Sequence, residues 1–507
     1  MPAHTPFDTI AFHARFSADA TGCVDLASNE RLSYRDFDGR VSAAAAHLAE
    51  RLGDCKGKRI ATLARNSAAL AIVGAAAERC GAVFVPLNWR LSAAEVADIL
   101  ADCEPDLLLV QPEFSDLANE STEAGRRARI AALDDVADPR PPARPASFSA
   151  AGLHDPCIIL YTSGTTGRAK GVIITRENAL YSSLNFAAVA QVNRNAVLLC
   201  DAPMFHTVGL VAITRTAFNR GACVLLSDRF VPGVTVQRLA DPALGATHYF
   251  VVPQMVEALV REPAFAKADL SRLVALFSGG GPLAADLVRT CAERGVRLIN
   301  GYGMSEVGSA IHMPVGAAPS NDARTVGYPA PYLDVMLADA DGHPVADGDV
   351  GEIWMRGPSV SPGYWNQPEA TSASRAGDWF RSGDLACQQN DAFLIVDRLK
   401  DMYISGGENV YPAEVEAVLR QVADIEDAVV IGVPDGRWGE VGCAFVQVRT
   451  GGPRPTETDI RDAIATRLAR FKQPAHYLFV EAIPRTGSGK PRKNVLREAF
   501  FQSRGAA

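Results

Sequence analysis

No Cys-x-x-Cys pair occurs in this chain. Its ten cysteines are scattered singly between Cys23 and Cys443, so neither a zinc cluster nor a dithiol redox pair is signalled. Unclustered thiols in a large chain are expected to be buried and reduced. Long apolar runs are lacking as well: the most apolar stretch, Ala68 to Ala77, stops at Glu78 and is too short to span a bilayer. His4, Asp8, His13, Arg15 and Asp19 stand where a signal peptide needs an apolar core. A cytoplasmic location without a transmembrane segment is therefore expected. Cations are not clustered either. The formal net charge is -8 with Lys and Arg dispersed, which argues against nucleic acid as a partner.

Three catalytic signatures are also missing. The phosphate loop Gly-x-x-x-x-Gly-Lys-[Ser/Thr] does not occur, and Gly487-Ser488-Gly489-Lys490 is followed by Pro491 where a hydroxyl residue is needed. No Gly-x-Gly-x-x-Gly opens a strand–helix–strand unit, which weakens a dinucleotide reading. The nucleophile elbow Gly-x-Ser-x-Gly is absent, which argues against a serine hydrolase.

What is present is a globular composition: 48% hydrophobic and 21% charged residues over 507 positions, enough for about three domain-sized units. Tyr34 to Leu52 carries apolar residues at helical spacing, Arg59 to Leu63 and Ala82 to Pro86 read as strands, and Ala93 to Leu100 reads as a helix. Such alternation predicts a parallel sheet covered on both faces. Asp134 to Pro156 reads as a surface connection. A second α/β layer is predicted from Cys157 to Pro314, with strands at Ala196–Leu199, Cys223–Leu226 and His248–Val252. Residues 324–397 read as a β-rich subdomain with Asp-Gly turns at Asp341-Gly342 and Asp347-Gly348. After Asp397 a further domain-sized unit begins, with helices at Pro412–Leu419 and Glu457–Leu468 and strands at Ala428–Val433 and Ala444–Val448. The predicted organisation is an N-terminal domain of residues 1–397 and a C-terminal domain of residues 398–507.

One loop stands out chemically. Tyr161-Thr162-Ser163-Gly164-Thr165-Thr166-Gly167-Arg168-Ala169-Lys170-Gly171 follows the apolar run Cys157 to Leu160. Its glycines free backbone N–H groups to turn inward, its four hydroxyls add donors, and Lys170 adds a cation, a set suited to holding phosphates. This run resembles the phosphate-loop signature of the ANL superfamily of acyl-CoA synthetases, peptide-synthetase adenylation domains and luciferases. Further matches follow in that superfamily's order: Asn300-Gly301-Tyr302-Gly303-Met304-Ser305-Glu306 resembles the adenine motif, with Ser305 where Thr is usual. Gly383-Asp384-Leu385 resembles the ribose motif. Asp397-Arg398-Leu399-Lys400-Asp401 and Ser405-Gly406-Gly407-Glu408-Asn409 resemble the hinge and the loop beyond it. Pro484-Arg485-Thr486-Gly487-Ser488-Gly489-Lys490 resembles the catalytic-lysine motif, with Pro491 a departure. The resemblance spans nearly the whole chain.

It implies a large N-terminal body of two doubly wound α/β subdomains with the β-rich subdomain, and a small mobile α+β C-terminal domain. It implies an ATP-dependent carboxylate–CoA ligase: acid and ATP give an acyl-adenylate and pyrophosphate, and the CoA thiol then displaces AMP. Charge develops on the phosphates, which calls for Mg²⁺ and fixed donors more than for acid–base groups. On that resemblance, Lys490 bridges the carboxylate and the α-phosphate, Glu306 holds Mg²⁺, and His206, in Pro203-Met204-Phe205-His206-Thr207-Val208-Gly209, gates the acyl site. Thr162 to Gly167 and Lys170 take the phosphates. Gly280 and Gly281, of Ser278-Gly279-Gly280-Gly281-Pro282-Leu283, lie with Gly301 to Ser305 around the nucleotide, with Tyr302 on adenine. Asp384 and Arg398 meet the ribose, Lys400 is the hinge, and Ser405, Gly406 and Gly407 line the CoA tunnel. Met304, Val307, Val208 and Gln254 are the expected acyl-pocket residues, for a fatty, aromatic or small branched acid. Arg215 reads either as a surface arginine or as a reader of a second carboxylate. Read without the resemblance, Arg485, Lys490, Arg492 and Lys493 would be a basic solubility tail. No carrier segment is appended, so CoA is expected over a carrier-protein phosphopantetheine. Luciferase-like oxygenation and a non-catalytic nucleotide-binding regulator stay open beside it. A homodimer is compatible with the sequence and not signalled by it.

Overall fold

The structure is a computed structural model describing residues 8–123, 129–137, 151–162, 169–280, 283–315, 322, 324–405, 408–465, 467–486 and 489–505. Contacts divide it into two compact units, one of Met1–Val335 with Met355–Phe380 and one of Met336–Trp354 with Arg381–Ala507.

The first unit is built on two sheets. A six-stranded sheet runs in the order Ile130–Ala132, Leu107–Val110, Arg59–Leu63, Val83–Pro86, Pro156–Thr162, Lys170–Thr175. It is parallel except for the last pair, an antiparallel hairpin that sets Tyr161 opposite Gly171 and Thr162 opposite Lys170. The second sheet has a parallel centre of Thr21–Asp25, Cys223–Leu226, Val197–Cys200, His248–Val251, Ala275–Gly279 and Leu298–Met304. Antiparallel strands follow it at Gly308–His312 and Thr325–Pro329. Parallel strands must be covered on both faces, and the helices do this. Tyr34–Leu52 and Ala68–Arg79 start at Ser33 and Ser67, whose side chains accept the N–H groups of Asp36 and Leu70. Both bury runs of alanine, and the main core gathers their buried faces with Phe84, Leu160, Phe186 and Phe277. The expected α/β body is thus observed, and the predicted strands match to within a residue or two. The expected connection at 134–156 contains a helical turn at Asp134–Ala137, and its last residue starts the Pro156–Thr162 strand.

One stretch breaks helical regularity. Val208–Arg215, two residues past His206, is a π-helix that runs directly into the helix Thr216–Arg220. Such segments are rare and occur mostly near functional sites.

The strand Trp379–Gln389, whose residues from Arg381 on belong to the second unit, forms a hairpin with Ala392–Arg398 that pairs Asp384 with Arg398. Asn390 and Asp391 turn it with φ of 50° and 65°, the two left-handed residues that a tight hairpin turn requires. Both predicted Asp-Gly turns occur in this unit, with Gly342 and Gly348 at φ of 86° and 90°. A five-stranded sheet is centred on Gly439–Val448, which pairs antiparallel with the edge strand Ile425–Asp435 and with Tyr403–Ser405, itself paired to Glu408–Val410, and parallel with His476–Val480. Pro412–Leu419 and Glu457–Ala465 pack against it over Ile425, Val430, Val446 and Ile460. No described helix is long and apolar enough to cross a membrane.

Candidate active site

In the first unit the phosphate loop is held at its base by the Pro156–Thr162 hairpin, where the Thr162 hydroxyl donates to the Lys170 carbonyl at 3.4 Å. Ser163, Gly164, Thr165, Thr166, Gly167 and Arg168 lie outside the described residues. Lys170 leaves the loop with its Nζ 5.0 Å from the ring centroid of Tyr364. The Tyr364 hydroxyl in turn donates to Glu306 Oε1 at 2.8 Å. One tyrosine therefore stands between the loop's cation and the carboxylate of the adenine motif. Burial and the adjacent Glu306 charge push the Tyr364 phenol well above its ordinary range, so it remains a donor. The backbone fixes this arrangement: Ile173 N–H donates to Gly363 O at 3.0 Å, Trp365 N–H to Gly171 O at 2.7 Å, and Ser361 N–H to Glu306 O at 2.7 Å.

The adenine motif begins on the strand Leu298–Met304, with Ser305 and Glu306 in the turn after it. Thr207, beside His206, donates to the Ser305 hydroxyl at 3.1 Å. Thr207, Ser305 and Glu306 share one small cavity with Ser182, Ser359 and Ser361. The structure thus brings together Lys170, Glu306, Ser305 and the His206 segment. Tyr302 and Met304 are half-buried at this strand's end, and the Tyr302 hydroxyl lies 3.8 Å from Met304 Sδ. Gly280, at φ 84°, follows the neighbouring strand Ala275–Gly279; Gly281 lies outside the described residues. Gly301 faces His312 so closely that a Cβ there would meet Nδ1 at 2.1 Å. His312 is buried against Phe186 and Phe250, its Nε2 makes no hydrogen bond among the described residues, and burial pushes its pKa down to about 4. Of the expected acyl-pocket residues, Val307 is fully buried, Val208 starts the π-helix half-buried, and Gln254 is exposed in the first turn of Pro253–Arg261. Arg215 is not a surface residue: its Nη2 donates to Glu78 Oε1 at 2.7 Å, with a second bond to Oε2.

In the second unit Asp384 is nearly buried and lies 3.3 Å from Arg398 Nε. Gly383, at φ 72°, donates its N–H to Glu352 Oε1 at 2.9 Å, and Glu352 also takes Arg381 and the Trp354 indole N–H. Lys400 is exposed in the turn after the hairpin, where Leu399 N–H returns to Gly383 O at 2.9 Å. Ser405 is buried in its strand; Gly406 and Gly407 lie outside the described residues. Lys490 is exposed, and its carbonyl accepts the Thr486 N–H at 2.8 Å. Its neighbours do not form a loose basic tail. Arg485 pairs with Asp427, and Lys493 lies 3.4 Å from both Asp401 and Glu416.

Most of the chain matches known families. Residues 7–365 match the AMP-binding enzyme family and residues 414–490 the AMP-binding enzyme C-terminal domain. The chain belongs to the AMP-binding enzyme family. It is 38% identical to a feruloyl-CoA synthase of Amycolatopsis sp, over 96% of this chain and 97% of that one. An indoleacetate–CoA ligase of Aromatoleum aromaticum is 33% identical over 92% and 93% of the two chains. Among solved structures, o-succinylbenzoate CoA synthetase from Bacillus subtilis in complex with ATP and magnesium ion superposes with a TM-score of 0.87 at 26% identity, covering 97% of this chain and 99% of that one. The present protein is an AMP-forming acid–thiol ligase, an enzyme that uses ATP and CoA.

Two residues of this AMP-binding enzyme escape sequence reading. Tyr364 lies 58 positions from Glu306, and the only local sign of it is the Gly363-Tyr364-Trp365 cluster after Ser359-Val360-Ser361-Pro362. Glu352, which orients Gly383, lies 31 positions upstream of it.

Proposed function

We propose that this ligase activates an aromatic acid of the benzoate or cinnamate type, and that Lys170, Tyr364 and Glu306 form the phosphate end of its site. The Tyr364 bridge between the loop cation and the motif carboxylate is the observation that carries the second part. The names of the feruloyl and indoleacetate relatives favour the first part.

A carboxylate is a poor electrophile until it gains a leaving group. In the first half-reaction a carboxylate oxygen attacks the α-phosphorus of ATP, the bond to the bridging oxygen breaks, and pyrophosphate departs. The Thr162–Gly167 loop and Lys170 neutralise the phosphates, and Lys490 pairs with the carboxylate and the α-phosphate as charge develops. Glu306 would hold Mg²⁺. Its surroundings fit a hard cation, since the carboxylate shares its cavity with the hydroxyls of Ser305, Ser359 and Ser361. Bound there, Mg²⁺ would supply positive charge to the phosphate oxygens. Tyr364 holds the Glu306 carboxylate, Tyr302 stacks on adenine, and Gly280, Gly281, Gly301, Gly303, Met304 and Ser305 surround the base. Asp384, fixed by Arg398, accepts the ribose hydroxyls. In the second half-reaction the CoA thiolate attacks the adenylate carbonyl and AMP leaves. His206 borders that carbonyl, Ser405 to Gly407 meet the pantetheine, and Val208, Gln254 and Val307 line the acyl group. The domain from 398 to 507 turns about Lys400 between the two steps.

The test is a panel of benzoates, cinnamates, indoleacetate and fatty acids with ATP, Mg²⁺ and CoA, read by mass spectrometry. Aryl-CoA with equimolar AMP supports the reading. Turnover of fatty acids alone overturns the substrate class, and pyrophosphate release without acyl-CoA would point to another acceptor.

A further inference from the structure

Lys490 stands between two ion pairs of the second unit. On one side Arg485 is paired with Asp427, a residue of the strand Ile425–Asp435. On the other, Lys493 opens the helix Lys493–Gly505 and lies 3.4 Å from both Asp401 and Glu416. Main-chain bonds join the two sides: Arg492 N–H donates to Pro484 O at 2.8 Å, and Thr486 N–H to Lys490 O at 2.8 Å. Leu496 and Phe500 bury the helix with Val429, Ile431 and Phe445. The segment that carries Lys490 is therefore held at both ends.

Lys493 occupies a place that local rules disfavour. A cation at a helix N-terminus meets the positive end of the helix dipole, and this side chain is only 19% exposed. Burial alone would lower its pKa, but the charges of Glu416, Asp401 and Asp397 outweigh it and hold the pKa above its ordinary value. These carboxylates come from separate places. Glu416 lies on Pro412–Leu419, where it also takes the Val430 N–H at 2.9 Å and Arg420 at 3.3 Å. Asp397 is near the end of Ala392–Arg398, and Asp401 follows directly on Lys400. One buried ammonium thus joins the residue after Lys400 to a helix whose first turn lies three positions from Lys490. A residue that breaks a local rule in this way calls for a compensating role.

Given the reading in which Lys490 serves adenylation and the domain turns about Lys400, on which the inference rests, we propose that Lys493 is a positioning residue. It makes Asp401, Glu416 and the Lys490 segment one rigid body, so that turning at Lys400 sets the place of the Lys490 ammonium. Without this link the hinge could turn while Lys490 stayed loosely placed.

The experiment measures the two half-reactions separately, with the acid of highest turnover in the panel: pyrophosphate release from acid and ATP, and acyl-CoA formation from pre-made acyl-adenylate and CoA. Lys490→Ala is measured first. Equal losses there contradict the two-step reading and take this proposal with it. Lys493→Met should then slow pyrophosphate release about ten-fold or more, since a misplacement on the order of 1 Å can cost about 10²-fold. Its KM for ATP should stay within about two-fold of the parent value, because the loss is in the transition state. Acyl-CoA formation from the adenylate should remain close to the parent rate. Asp401→Asn removes one pairing and leaves Glu416 on Lys493, so it should shift the same way by a smaller factor. Thermal melts identify any variant that does not fold, and either folded variant decides. A purely structural role would lower both half-reactions alike. Equal losses in a folded variant, or an unchanged rate of pyrophosphate release, overturn the proposal while leaving the Lys490 reading in place.

Discussion

Tyr364 is the residue on which the proposed phosphate site turns. Its hydroxyl holds Glu306 at 2.8 Å while its ring receives Lys170. Tyr364→Phe keeps the ring and deletes one hydrogen bond to a charged group, worth roughly 1.5–3 kcal/mol. Adenylation should slow by about ten-fold or more, with part of the loss recovered at high Mg²⁺. Unchanged pyrophosphate release would remove Tyr364 from the site. His312 makes a second prediction, this time about stability. Its folded pKa of about 4 lies below the unfolded value near 6.5. Between those values the unfolded chain binds a proton that the folded chain refuses. Its contribution is therefore full above pH 6.5 and declines as the pH falls toward 4, by about 3 kcal/mol in all. His312→Phe should lose less stability between pH 7 and pH 5 than the parent does in urea titrations. Equal losses would contradict the buried, neutral imidazole.

The strand Leu298–Met304 shows how an element sets the site. Gly301 is opposite His312 in the antiparallel register, and the imidazole fills the space where a side chain would stand. Gly301→Ala puts a methyl 2.1 Å from Nδ1, so the strand or the ring must move. Overpacking of this kind costs about 1–3 kcal/mol. Both the urea midpoint and the KM for ATP should worsen, because Tyr302 is the next residue. A variant with neither change would show that the strand has room to spare. This strand is legible in the sequence because its glycines, Tyr302 and Glu306 recur as a string. The strands near Arg59, Cys157 and Cys223 are legible because each is a short apolar run bounded by polar turns. Local strings say nothing of long-range pairing, so the Tyr364–Glu306 bond and the Glu78–Arg215 pair cannot be read from them. The π-helix is hidden too, since its residues have ordinary helical spacing. The Asn390-Asp391 turn escapes notice because neither residue is the glycine that usually marks such hairpins.

On the scale of the molecule, the reaction class is legible because five separated motifs appear in one order, and the boundary at residue 397 remains a proposal. The compact second unit joins Arg381–Asp397 to the C-terminal residues. Asp397, pushed up to about 6 by burial, accepts the N–H groups of Arg398 and Ala413, each at 2.7 Å. The central claim is that one centre performs two half-reactions and that Lys490 serves only the first. Lys490→Ala, assayed in each half-reaction separately, tests this most directly. Deleting one such electrostatic group costs about 10²–10³ in rate. Pyrophosphate release from acid and ATP should fall by at least that factor. The same variant, given pre-made acyl-adenylate and CoA, should form acyl-CoA at close to the parent rate. Equal losses in the two assays would contradict the account.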